Sequence, residues 1–359
     1  MAFDPGYLDE LKDRIGLSDL IARRVKLRRR GREWSGLCPF HDEKTPSFTV
    51  NEAKGFYHCF GCGAHGSAID FVMATEGTSF PEAVERLSAS VGMVPPAPDP
   101  EADARREARD SLGELLGQAA AWFEHQLAGP AGAEARAYLA GRGLDGETIA
   151  RFRLGYAPAG GERLKSAFLA RGRAEAALVE AGLVGRPDDG RESYDFFRDR
   201  IIFPIADRRG RVIAFGGRAL GEARAKYLNS PESPLFDKGR TLYNLAPARE
   251  AAHQAGTVVV AEGYMDVIAL ARAGVDHAVA PLGTALTEPQ LAELWRLAPE
   301  PVLCFDGDAA GARAARRAAE RALEQLRPGR SLGFVTLPPG EDPDSLLARR
   351  GRAALREML

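Results

Sequence analysis

The sequence predicts a multidomain chain, α+β in its N-terminal part and α/β in its C-terminal third, on three observations. Two Cys/His pairs, Cys38-Pro-Phe-His41 and Cys59-Phe-Gly-Cys62, lie close together near the N-terminus. The run Pro95-Pro96-Ala97-Pro98-Asp99-Pro100 is stiff and cannot pair as a strand, so it divides a small N-terminal unit from the rest of the chain. From Thr257 onward, short apolar runs alternate with helical patterns, the order that builds a parallel sheet with helices on both faces.

A chain of 359 residues holds two or three domains, each able to bury its own core. Its 45% apolar and 27% charged content is that of a soluble globular protein. No apolar stretch approaches the roughly 18 residues that a membrane span needs, and the N-terminus has no signal-like apolar core. The expected location is therefore the cytoplasm. Four cysteines are too few for a disulfide scaffold, and three of them sit together as metal ligands do.

Two residues inside each Cys/His pair let two side chains grip one face of a tetrahedral ion, and the second pair completes a Cys₃His shell. Pro39 and Gly61 suit the sharp turns this requires. His58 and His65 are near enough to replace His41, but only His41 completes the paired spacing. With Cys38, His41, Cys59 and Cys62 filling all four positions, the expected ion is one structural Zn²⁺ in a zinc ribbon over residues 1–95. Buried cysteines without an ion are the competing reading, disfavoured by the presence of both pairs. Trp34, Phe40, Phe48, Phe56, Tyr57 and Phe60 crowd this segment beside the basic run Arg23–Arg32. Such a mixture can stack and neutralise single-stranded nucleic acid; at least half of these rings are expected in the ribbon's own core instead.

A linker is expected over 96–110, and an Ala- and Glu-rich stretch from about Glu101 to Leu127 repeats apolar residues (Leu112, Leu115, Leu116, Ala119, Trp122, Phe123 and Leu127) at helical spacing. Ile201–Ile205 and Val212–Phe215 read as strands about the turn Arg208-Arg209-Gly210. They lie in a second basic stretch from Arg198 to Arg240, so residues 111–248 form a mixed α+β basic subdomain. A basic run is by itself more often a solvated face than a nucleic-acid surface. In the last third, strands are expected over 257–261, 276–281, 301–305 and 331–337, with helices over 264–272, 287–297 and 309–326.

Glu262 and Asp306 each follow an apolar strand, Asp308 opens the next helix, and Asp342 and Asp344 follow the fourth strand. The carboxyl ends of parallel strands line one sheet edge, so these carboxylates converge there. Like charges that close repel one another, and hard cations such as Mg²⁺ or Mn²⁺ relieve the conflict. Asp308 read alone is a helix cap, and Asp342-Pro-Asp344 read alone is a turn. Taken together, the three acidic groups indicate a catalytic centre for phosphoryl transfer.

These residues also resemble a known family. Cys38-x2-His41 with Cys59-x2-Cys62, Ile201-Ile-Phe-Pro-Ile205 with Phe215-Gly-Gly-Arg218, and Lys226-Tyr-Leu-Asn-Ser-Pro231 are similar to motifs of bacterial DNA primase of the DnaG type. So are Glu262-Gly-Tyr-Met-Asp266, Leu282-Gly-Thr284, Asp306-Gly-Asp308 with Gly311, and Glu341-Asp-Pro-Asp344. The last four belong to the Toprim fold, which primases share with topoisomerases and some nucleases. The resemblance implies an RNA polymerase that makes short primers de novo on single-stranded DNA from ribonucleoside triphosphates at the replication fork. It implies that Glu262, Asp306, Asp308, Asp342 and Asp344 hold two or more Mg²⁺ or Mn²⁺ ions in a Toprim unit at 249–345, with Glu262 as ligand, proton acceptor or both.

It further implies that Arg142, Arg218, Lys226 and Lys238 contact template or nucleotide phosphates, Lys226 and Lys238 within the catalytic machinery. Partners implied are single-stranded-DNA-binding protein and the replicative helicase, the latter through a domain beyond Leu359. Residues 346–359 are accordingly expected to begin a helical region that is cut short. Pro281 departs from the small residue expected before Leu-Gly-Thr. The rival readings are a Toprim nuclease or topoisomerase, and a non-catalytic zinc module that binds single strands. A phosphate loop of a helicase motor, G-x-x-x-x-G-K-[S/T], does not occur.

Overall fold

The computed structural model describes residues 3, 5–95, 100–160, 162–187, 189–283 and 285–359. Positions 96–99 of the proline run and Thr284 of the Leu-Gly-Thr motif lie outside them. The chain forms two compact units, Met1–Glu107 and Ala108–Leu359.

The first unit opens with α1 (Pro5–Arg14) and α2 (Leu17–Ala22). Next is an antiparallel sheet with its strands in sequence order: β1 (Arg28–Arg30), β2 (Glu33–Gly36), β3 (Phe48–Asn51), β4 (Phe56–Cys59) and β5 (His65–Gly66). α3 (Ala68–Glu76) and α4 (Phe80–Ser90) close the unit, each started by a capping box, Ser67 with Asp70 and Ser79 with Glu82. Alternation along the strands sends Phe48, Val50 and Tyr57 into a core with Phe71, Val72 and Leu87. Of the six aromatic residues crowded around the Cys/His pairs, Phe48 and Tyr57 are buried and Trp34 and Phe40 pack against the core, while Phe60 is 75% exposed and Phe56 39%.

α5 (Pro100–Ala128) starts in the first unit and carries the expected apolar stripe, Leu112 to Leu127, in the second. It begins at Pro100, a position where proline is tolerated because its missing N–H has no partner there. The helix takes in positions 100–110, whose Ala, Arg and Glu content favours it. Beyond it lie α6 (Ala133–Gly141), α7 (Gly146–Arg151), β6 (Gly155–Ala157), α8 (Arg163–Leu169) and α9 (Glu175–Glu180). Next come the small β7–β8 hairpin (Val184–Gly185, Tyr194–Asp195), then β9 (Arg200–Ala206), β10 (Val212–Ala219) and β11 (Tyr227–Asn229). β11, β10, β9 and β6 pair in that order as an antiparallel sheet, and α5 packs on it through Leu116, Ala119 and Phe123 against Ile202 and Phe215.

β12 (Leu242–Tyr243) and α10 (Leu245–Ala255) lead into the alternating region. There β13 (Val259–Val260), α11 (Tyr264–Arg272), β14 (Ala278–Pro281), α12 (Glu288–Leu297), β15 (Val302–Phe305), α13 (Ala309–Leu323), β16 (Gly333–Thr336) and α14 (Pro343–Glu357) succeed one another. The strands order as β12-β14-β13-β15-β16, parallel except that β12 runs antiparallel beside β14. The expected parallel sheet is present, with strands shorter than the apolar runs suggest; β12 is an addition that a two-residue run could not announce. Strict alternation divides the two faces. Val259 and Ala261 face α11 and α14, whereas Val258 and Val260 face α10, α12 and α13. Gly351 breaks α14 with φ +79°.

Candidate metal and nucleic-acid site

In the first unit the knuckle after β2 brings Cys38 and His41 to the turn after β4, which carries Cys59 and Cys62. The four ligand atoms lie within 4.8 Å of one another. Cys38 Sγ is 3.8 Å from Cys62 Sγ, and Cys59 Sγ is 3.8 Å from His41 Nδ1. The amides of Phe40 and Cys62 point at Cys38 and Cys59 sulfurs across 3.4 and 3.5 Å. Burial pushes the Cys59 thiol up, but hydrogen bonds from Ser47 and from the Cys62 and Gly61 amides outweigh it and hold the group at about 6. Donors aimed at thiolates and a compact N/S set fit a tetrahedral zinc ion. His58 and His65 stand outside the cluster; the His65 ring instead meets Gly63 O at 2.9 Å.

The second unit has a cavity of about 390 Å³ at the carboxyl edge of the parallel sheet. Glu262, Asp306 and Asp342 line it from the sheet edge, together with Arg142, Arg218 and Lys226 from the preceding elements. Glu262 Oε1 accepts the Asp306 amide at 2.9 Å, tying the ends of β13 and β15 together. Burial and the neighbouring Glu262, Asp342 and Asp308 push the Asp306 carboxyl up to about 7. Its Oδ1 is buried without a hydrogen-bond partner. Burial, then Asp308, also raises Glu262. An orphaned carboxylate oxygen among like charges fits a hard divalent cation.

Asp308 and Asp342 lie at this edge as the N-caps of α13 and α14: Asp308 accepts the Ala310 and Gly311 amides, each at 2.8 Å, and Asp342 the Ser345 amide at 2.6 Å. Asp344 is buried and ion-paired with Arg142. Lys238 is not among the cavity-lining residues; its carbonyl accepts from Gln290 Nε2 at 3.0 Å.

Asp266 is a carboxylate at this edge that the sequence did not single out. It lines the same cavity, accepts the Gly263 amide at 3.0 Å, and is raised well above the carboxylate range by burial, Asp306, Asp342 and Asp344. Its signal was present as the last residue of Glu262-Gly-Tyr-Met-Asp266, one helical turn after Glu262. Asn229 was missed as well. Tyr264 Oη donates to Asn229 Oδ1 at 2.7 Å, and Asn229 Nδ2 donates to Leu282 O at 2.8 Å, so three motifs meet in one relay.

Arg218 is 8% exposed and has no carboxylate partner among the described residues. Its guanidinium lies 5.1 Å from the Tyr138 ring centre and 5.5 Å from that of Tyr227, and donates to Tyr227 Oη at 2.9 Å. A buried cation that meets two aromatic rings and a phenol hydroxyl, with no carboxylate beside it among the described residues, suits an incoming anion. Lys226 is exposed at the same mouth.

A zinc-ribbon unit and a Toprim sheet with an acidic edge define the class of this protein: chains that join a Cys₃His finger to a Toprim domain. Three family models match in that order, the CHC2 zinc finger over residues 4–101, the DNA primase catalytic core N-terminal domain over 122–249, and the Toprim domain over 256–330. The chain belongs to the DNA primase family of the DnaG type. It is 46% identical over 350 residues to the DNA primase of Escherichia coli K12, an alignment covering 97% of this chain and 60% of that protein. With the DNA primase of Pseudomonas putida KT2440 it shares 46% over 351 residues, 97% of this chain and 53% of that one. The chain thus spans about 60% or less of these relatives.

Among solved structures, the zinc-binding and RNA polymerase domains of Aquifex aeolicus primase match at TM-score 0.64 and 34% identity, covering 100% of this chain and 85% of that one. A DnaG primase catalytic domain bound to single-stranded DNA matches at TM-score 0.66 and 43% identity, covering 70% and 79%. Among the described residues, no helix is long and apolar enough to cross a membrane.

Proposed function

We propose that this chain carries the centre of a DNA-dependent RNA polymerase that makes short RNA primers de novo on single-stranded DNA in the cytoplasm. The observation that carries the reading is the mixed lining of one cavity: Glu262, Asp266, Asp306 and Asp342 share about 390 Å³ with Arg142, Arg218 and Lys226. The acidic residues would hold Mg²⁺ or Mn²⁺, with Asp308 and Asp344 at their margin. Bound there, such ions supply activation of the attacking hydroxyl and neutralisation of the leaving phosphate.

The chain's own residues do the rest. Arg218, lacking a carboxylate, accepts a template or nucleotide phosphate, and Lys226 neutralises a triphosphate as a point charge. The Tyr264–Asn229–Leu282 relay ties three lining segments of the cavity together. Glu262, raised by burial, is placed to bind a cation or take a proton. Zn²⁺ has a structural role, because protein side chains fill all four of its positions. The replicative helicase and single-stranded-DNA-binding protein are the proposed partners.

The test is synthesis on an unprimed single strand with all four ribonucleoside triphosphates, using this chain and a version extended to the length of its relatives. Short RNA that disappears with Glu262→Gln is expected. Cleavage of the strand without incorporation would replace this reading with a Toprim nuclease.

A further inference from the structure

The two ring nitrogens of His41 meet different neighbours. Nδ1 lies 3.8 Å from Cys59 Sγ, while Nε2 lies 3.3 Å from Glu43 Oε2. The Glu43 side chain is only 10% exposed, and among the described residues no lysine or arginine pairs with it. Its Oε1 accepts the Cys38 amide at 2.7 Å and the Ser47 amide at 3.1 Å. Its Oε2 accepts the Ser47 hydroxyl. One carboxylate therefore touches the first cysteine ligand, the histidine ligand and the start of β3.

Burying a carboxylate without a cationic partner is costly unless hydrogen bonds replace the lost water. Here every replacement comes from the ligand loop itself. The space is tight as well: a Cβ on Gly61 would lie 2.7 Å from His41 Nε2 and 2.8 Å from Ser47 Oγ. The Cys59–Cys62 turn thus closes over the His41–Glu43 contact and leaves the ring little room to turn over.

We infer that Glu43 is a positioning residue of the Cys₃His centre, fixing His41 as the tautomer that carries its proton on Nε2 and presents Nδ1 to the zinc ion. A metal-bound histidine that donates its other N–H to a carboxylate is held in orientation and made a better ligand. The Glu43 bond to the Cys38 amide orients the second ligand in the same step. This inference rests on the zinc reading of the cluster.

The experiment uses the zinc-loaded full chain with ¹⁵N-histidine. Zinc content comes first, and about one equivalent is expected. Long-range ¹H–¹⁵N correlation should then show His41 protonated on Nε2 and metal-bound through Nδ1. In Glu43→Gln, which keeps the volume but not the charge, the Nε2 resonance should shift. Competition with a chelator should show zinc affinity lowered about 10–100-fold in Glu43→Ala and by a smaller factor in Glu43→Gln. One equivalent of zinc bound through Nε2 in the wild type would overturn the role of Glu43 and leave the zinc site standing. So would wild-type affinity and an unshifted resonance in Glu43→Gln. A wild type that takes up no zinc would overturn both.

Discussion

Arg142, which caps the end of α6, forms an ion pair with Asp344 in the first turn of α14, 202 residues further along the chain. Asp344 is 8% exposed at its side chain and Arg142 36%. The pair joins a basic residue of the N-terminal subdomain to an acidic residue of the sheet edge. Removing the arginine leaves a buried carboxylate without its partner, which is destabilising. Arg142→Ala is expected to lower the Tm of the metal-free protein, and Mn²⁺ should recover more of that loss than it adds to wild type. Differential scanning fluorimetry with and without Mn²⁺ checks this; an unchanged metal-free Tm would show that the pair contributes nothing.

The raised Asp306 carboxyl makes stability fall with pH. Because its folded value of about 7 lies above the ordinary aspartate value of 3.8, the folded state binds more protons between the two. Stability therefore declines as pH rises through that window when divalent ions are absent. Asp306→Asn should flatten the decline and raise the metal-free Tm at pH 7.5 by about 2–4 °C, equivalent to about 1 kcal/mol. Melting curves from pH 4.5 to 7.5 in EDTA measure it. A slope equal to wild type would remove Asp306 as its source.

Gly216 in β10 lies against Tyr264, and a Cβ there would fall 2.3 Å from the tyrosine ring and hydroxyl. The ring cannot move aside freely, since Phe203 stacks on it at 4.8 Å and its hydroxyl holds Asn229. Gly216→Ala should cost about 1–3 kcal/mol, the usual range for overpacking. Urea unfolding would reveal it, and primer synthesis should fall further than stability predicts because Asn229 loses its anchor.

Lys226 and Lys238 should separate. Lys226 lines the cavity and Lys238 does not. Lys226→Ala is expected to raise the KM for nucleotide about 10-fold or more, whereas Lys238→Ala should change it by less than about threefold, on the basis that one charge contact to phosphate contributes about 1–3 kcal/mol. Steady-state incorporation on a single-stranded template distinguishes them. Equal losses would place Lys238 at the nucleotide as well.

What the sequence determined by itself was whatever short-range spacing encodes. Two residues between Cys38 and His41, and between Cys59 and Cys62, suffice for a tetrahedral half-shell, and the structure brings those four together. Val258–Ala261 and Val302–Phe305 are apolar on both faces because helices cover both, so their strand character and the carboxylates at their ends were legible. The tertiary structure decided what depends on packing between distant segments. Asp266 entered the acidic centre because α11 turns its first turn back toward Asp306 and Asp342. Asp344 met Arg142, and Lys238 was left outside the cavity, through contacts that no local pattern records. Glu43 looks like an ordinary surface acid in the sequence, yet the folded loop closes three hydrogen-bond donors and the His41 ring upon it. Spacing along a turn fixes only a few ångströms of geometry, whereas the partner of a buried charge is set by which elements fold against it.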